Sequence, residues 1–136
     1  MQINAYLNFN GQCEAAFNFY ERVLGGKILM MSRFEDSPMA QQMPADMRGK
    51  ILHARIQIGD TVVMGSDPPP DRYSAQKGFA LSLQTKTASE SDKIFHALSE
   101  NGQIGMAMGK TFFAERFGML TDRFGVPWMV VCEREG

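Results

Sequence analysis

The residues best equipped for chemistry in this 136-residue chain stand close together: His53 and Arg55 are two apart, and Gln57 follows two further on. In an extended segment a spacing of two puts side chains on one face, so imidazole, guanidinium and amide share a wall. Histidine titrates nearest neutrality, and arginine grips carboxylate or phosphonate oxygens with paired N–H bonds. Together they suit recognition of a small anion, with His53 as the candidate catalytic acid or base beside it. The competing reading is a solvated strand face whose histidine is satisfied by a backbone carbonyl. Asn8, Ser82, Gln84 and Glu115 hold the matching polar parity in other alternating segments and are the remaining candidate ligand contacts, with Thr121 beside them. His96 falls on a helical pattern and reads as surface. Asp67 and Asp122 have the look of a carboxylate pair. Each, however, precedes a proline or an Arg-Phe-Gly turn, where aspartate accepts backbone N–H groups, so both read as caps.

Composition bounds the rest. Lys and Arg number 14 against 15 Asp and Glu, a formal charge of -1, with 44% apolar and 21% charged residues. That balance argues against nucleic acid as a partner. The longest clean apolar run, residues 126–132, contains Pro127 and is too short for a membrane span. Cys13 and Cys132 sit in no CxxC or zinc spacing and read as small buried groups in a reducing compartment. The opening Met1-Gln2-Ile3-Asn4 lacks the basic and apolar regions of a signal peptide, so the expected location is the cytoplasm. Neither a Walker nor a dinucleotide glycine motif occurs, and no cofactor is expected.

Several elements must position these groups. Residues 3–9 alternate, with Ala5, Leu7 and Phe9 opposite Asn4, Tyr6 and Asn8, which predicts a strand. Residues 12–24 form a helix whose stripe is Ala16, Tyr20, Val23 and Leu24, flanked by Phe17 and Phe19; Gly25-Gly26 closes it. Strands follow at 27–34, 50–58 and 61–66, around a loop at 35–49 with room for one helical turn. Met39, Met43 and Met47 recur in that loop, as a flap or as core. Pro68, Pro69 and Pro70 make a rigid linker within 68–77. Then the order repeats: a strand at 78–85, a helix at 89–101, and strands at 103–108, 113–121 and 126–133. The second helix has Ser89 and Asp92 as a weak capping pair and Gly102 past its end; Arg123-Phe124-Gly125 turns between the last two strands. Trp128 shares the core parity, and Met106 and Met108 read as core. The two registers agree: Ala5, Leu7 and Phe9 match Phe79, Leu81 and Leu83, and Ile58-Gly59 matches Phe124-Gly125. The expected fold is α+β, a duplicated βαβββ unit in a single domain, with modules at about 1–67 and 78–136.

That duplication resembles the vicinal-oxygen-chelate superfamily of glyoxalases, bleomycin-resistance proteins and extradiol dioxygenases. Local strings are similar to its PhnB-type branch: Tyr6-Leu-Asn-Phe9, Gly11-Gln-Cys-Glu-Ala-Ala16, Phe19-Tyr20, Leu24-Gly-Gly26, Ile51-Leu-His-Ala54, Met64-Gly-Ser-Asp67, Thr111-Phe112, Phe117-Gly118 and Asp122-Arg-Phe-Gly-Val-Pro-Trp-Met129. Phe113 stands where that branch commonly has tryptophan. The resemblance implies paired half-barrels, a concave cup for a small molecule facing away from the helices, and a homodimer. It also implies a metal held by His, Glu or Gln from four strands, at positions that fall near Asn4, Met64, Gly78 and Met129. Those side chains are poor donors for a hard divalent ion, so no metal is expected there. Members labelled demethylubiquinone methyltransferase are known in the branch, but no GxGxG follows a strand here. The expectation is a small-molecule-binding protein without the usual divalent-metal site. The alternative is a metal-independent lyase or isomerase acting on a small anion.

Overall fold

The computed structural model describes residues 1–134, and the chain divides into two compact units between Ser74 and Ala75. The first contains β1 (Tyr6–Asn8), α1 (Cys13–Leu24), β2 (Lys27–Arg33), β3 (Ile51–Ile58) and β4 (Thr61–Ser66), in the sheet order β1-β4-β3-β2. β1 runs parallel to β4, with Tyr6 opposite Met64, while β3 is antiparallel to both β4 and β2. The second contains β5 (Leu81–Thr85), α2 (Ala88–Ser99), β6 (Gln103–Gly109), β7 (Ala114–Thr121) and β8 (Pro127–Glu133), ordered β5-β8-β7-β6. Each unit is therefore βαβββ, with its first and last strands parallel. The α+β duplication is the observed architecture.

In the first unit α1 covers one face of the sheet. Leu7, Phe9, Ala54 and Ile56 are buried with Ala16, Phe17 and Tyr20 of the helix. Gly65 explains the docking: a Cβ there would lie 2.9 Å from the Phe17 ring and 3.1 Å from the Leu7 carbonyl oxygen. The missing side chain leaves room for the Phe17 ring against the strand, so Phe17 belongs to the buried face of the helix rather than to its flank. Phe17 is wholly buried, whereas Val23 and Leu24 are only partly covered. α1 ends at Gly25, whose φ of +68° is the left-handed conformation that glycine adopts without strain. Its N-terminus has no side-chain cap from Gln12; the carboxylate of buried Asp67 accepts the N–H of Cys13 at 3.0 Å and that of Ile51 at 2.9 Å instead. Asp67 thus joins helix start and strand start, as its turn position suggested.

In the second unit Phe95, Leu98 and Ser91 of α2 are buried, and Phe95 lies where a Cβ on Gly118 would fall, at 2.7 Å. Four local expectations need correction. α2 is capped two residues earlier than Ser89: Thr87 accepts the N–H of Glu90, and Glu90 accepts the N–H of Lys86. Asn101, not Gly102, carries the positive φ (60°) after the helix, while Gly102 is needed for clearance, since a Cβ there would lie 2.4 Å from the Thr121 carbonyl oxygen. Met106 is exposed rather than core, because β6 is an edge strand; Met108 tucks against Gly118. Residues 35–49 form three 3₁₀ turns instead of one, with Met47 buried and Met39 exposed. Asp122 is buried, its carboxylate accepting the N–H groups of Phe124 and Val126 and the indole N–H of Trp128.

Candidate functional site

The alternation of β3 decides which side chains leave the core. Ala54 and Ile56 are buried on the α1 side, while Arg55 and Gln57 are exposed and His53 is half-buried; Ile51 is buried at the start of the strand, where the pairing with β2 shifts register. The register extends this helix-free face across the sheet in one row: Tyr6, Met64, Arg55 and Met30. His53 lies opposite Ser32 of β2, and exposed Asn8 opposite Ser66 of β4. The hydroxyl of Tyr6 is 3.2 Å from Nδ1 of His53, and the two rings stack with centroids 5.7 Å apart at 24°. Because β4 lies between β1 and β3, Tyr6 reaches over β4 to make this contact. Gln57 is already engaged: its amide donates to the Gly59 carbonyl at 3.1 Å, at the hairpin end of the strand.

The four ion pairs found among the described residues join Arg33 to Glu14, Lys110 to Glu115, Arg116 to Asp92 and Arg123 to Glu100. Arg55 enters none of them. Glu14 hydrogen-bonds Arg33, which holds its carboxyl below the usual carboxylate range and raises the guanidinium in turn. Burial, followed by the nearby Asp67 charge, pushes the Cys13 thiol up, as befits a packing group.

Ser82 and Gln84 belong to β5 in the second unit, where the Gln84 amide donates to the Ser82 hydroxyl at 3.0 Å. Glu115 lies elsewhere in that unit, bordering a concavity of about 570 Å³ with Lys86, Thr87, Ala88, Cys132, Glu133 and Arg134. Thr121 ends β7, paired with Gln103 and Pro127. The structure thus gathers Asn8, His53, Arg55 and Gln57 on one sheet, and Ser82 with Gln84 on another. Of the positions where the fold family carries metal ligands, Asn4 uses its amide to donate to the Val62 carbonyl at 2.9 Å, Gly78 has no side chain, and Met64 and Met129 offer thioethers. Among the described residues no cluster of three His, Cys, Asp or Glu side chains is placed to hold a metal.

A family model described as 3-demethylubiquinone-9 3-methyltransferase matches residues 1–131. The chain belongs to that family. Protein YjdN of Escherichia coli (strain K12) is 36% identical over 138 residues, covering 96% of this chain and 94% of the relative. The crystal structure of protein PA1353 from Pseudomonas aeruginosa is 46% identical, with a TM-score of 0.90 and 99% of each chain covered. The PhnB protein from Bacillus cereus is 27% identical with a TM-score of 0.82, covering 97% of this chain and 99% of that one. A glyoxylase/bleomycin resistance protein/dioxygenase domain from Frankia sp. EAN1pec shares the fold at 14% identity, with a TM-score of 0.64 over 100% and 93% of the two chains. The chain is therefore PhnB-like, and its fold is the one seen in the glyoxylase/bleomycin resistance protein/dioxygenase domain.

In this family member the residue that sequence reasoning missed is Tyr6. Its parity was legible, since it alternates with buried Leu7. Its partner was not, because that depends on which strand lies two places away in the sheet. No helix among the described residues is long and apolar enough to cross a membrane.

Proposed function

We propose that the chain is a small-molecule-binding protein that holds a compact anion on the helix-free face of its first unit. Arg55 supplies the fixed charge and His53 a neighbouring polar contact, with Asn8 on the same face. The observation that carries this reading is the exposed Arg55 guanidinium, without a carboxylate partner among the described residues, two residues from a histidine anchored by Tyr6. Such a cation in a surface row is an open valence for a carboxylate or phosphoryl group. Met64 and Met30 flank it in register and give an apolar ligand body adaptable contacts.

The metal expected of the superfamily does not suit this donor set. An amide nitrogen is a donor already spent on a carbonyl, a glycine ligates nothing through a side chain, and thioethers prefer soft ions. Nor does a GxGxG follow a strand to cradle a methyl donor. An enzyme acting on the same anion is the second reading, favoured by the imidazole beside Arg55.

Calorimetric titration with benzoate, methylphosphonate and inorganic phosphate tests the proposal. Binding of at least one is expected, lost in Arg55→Met and weakened about 10-fold in His53→Gln, a hydrogen bond to a charged group. Both variants should keep their stability within about 1 kcal/mol, because both side chains lie outside the core. No binding by the unaltered chain, or binding unchanged in Arg55→Met, refutes the reading. Early unfolding of both variants would make the pair structural.

A further inference from the structure

We infer that Tyr6 is a positioning residue that fixes the tautomer of His53, so that this face offers an anion two N–H donors. The ligand half of this inference rests on the anion reading above; the tautomer half rests on geometry alone. Tyr6 holds the imidazole in two ways at once, by the 3.2 Å contact between its hydroxyl and Nδ1 and by the near-parallel stack of the rings. In a neutral imidazole one nitrogen carries the proton and the other only a lone pair. A phenol hydroxyl can donate or accept. It is a stronger acid than a neutral imidazole N–H, however, and the imidazole lone pair is the stronger base. The favoured bond therefore runs from the hydroxyl to Nδ1 and leaves the ring proton on Nε2. Among the described residues Nε2 of His53 has no hydrogen-bond partner.

The consequence is chemical. An Nε2–H imidazole is a donor and not a base, and its backbone position is about 6.6 Å along the strand from that of an arginine whose guanidinium is also donor-only. Two such groups on one face recognise a ligand that brings acceptors without protons of its own: a carboxylate or a phosphoryl oxygen. The methionines flanking Arg55 in the row Tyr6, Met64, Arg55 and Met30 suit a ligand whose remaining bulk is apolar. The class is an apolar-bodied monocarboxylate, of which benzoate is the simplest probe. Under this arrangement His53 acts by binding, and the face has no general base at that ring until the Tyr6 bond is broken.

The test is long-range proton–nitrogen correlation NMR on the full chain labelled with ¹⁵N-histidine. The chain's second histidine is assigned by His96→Gln, and spectra are taken about two pH units above the ordinary histidine range. The unaltered chain is expected to show His53 as the Nε2–H form. Tyr6→Phe keeps the stack and loses only the hydroxyl. It should convert the ring to a mixture of both tautomers and weaken benzoate binding about 3- to 10-fold, with Arg55 still in place. An Nδ1–H ring in the unaltered chain, or a tautomer unmoved in Tyr6→Phe, overturns the inference. An Nε2–H ring that mixes in Tyr6→Phe, in a chain that binds no benzoate, supports the tautomer assignment and overturns the monocarboxylate class; if methylphosphonate and phosphate are not bound either, the anion reading falls with it.

Discussion

Removing the Asp122 carboxylate should be the most damaging polar substitution in the second unit. Its Oδ1 accepts the N–H groups of Phe124 at 2.9 Å and Val126 at 3.0 Å, and its Oδ2 accepts the indole N–H of Trp128 at 2.9 Å. The Val126 and Trp128 bonds are buried, whereas water can reach the partly buried Phe124 donor. Each buried donor left without an acceptor costs about 1–3 kcal/mol, so Asp122→Ala should lose about 4 kcal/mol through the two buried donors. With a urea slope of about 2 kcal/mol per molar, the unfolding midpoint should fall by about 2 M. Asp122→Asn separates the contributions. Its amide oxygen still serves both backbone donors, but an NH₂ now faces the indole N–H, so about 1–3 kcal/mol is lost. Trp128 is the single tryptophan, and its fluorescence reports both unfolding and the state of this bond. An Asp122→Ala chain within about 1 kcal/mol of the unaltered one, with Trp128 emission unmoved, would refute the reasoning. So would an Asn variant as costly as the Ala variant.

Two further outcomes are expected. Glu14 titrates below its ordinary range because Arg33 hydrogen-bonds its charged form, so the pair adds stability above the unfolded carboxyl pKa of about 4.3 that is lost as pH falls through the lower folded value. Glu14→Gln should shrink the loss of stability on acidification, read from urea midpoints at pH 7 and below pH 4. At pH 7 it should cost under about 1 kcal/mol, because the pair is partly exposed; an unchanged acid dependence would tell against it. We also propose that the chain is a homodimer: edge strand β6 leaves Ile104 and Met106 exposed, and Phe112, in the loop that follows it, is 89% exposed. Sedimentation should show a dimer at micromolar concentration, and a monomer there would count against it.

The sequence by itself determined the order of elements, because period-two and helical patterns are local properties of the chain. Leu7, Phe9, Ala54 and Ile56 are core, while Arg55 and Gln57 are exposed, as their alternation required. Asp67 and Asp122 accept backbone N–H groups, as their turn positions implied, and Trp128 is buried, as its parity implied. Only the tertiary structure decided that Phe17 belongs to the buried face of α1, since that depends on Phe17 meeting the bare Cα of Gly65, and the two are 48 positions apart in sequence. It alone separated the positive φ at Asn101 from the clearance needed at Gly102, two demands that look alike in a sequence. Strand order decided the candidate site. Tyr6 and Asn8 have the same parity on β1, yet only Tyr6 bonds and stacks on His53. The physical reason is that a strand's periodicity fixes which face a side chain occupies, whereas the sheet's order and register fix what it meets there.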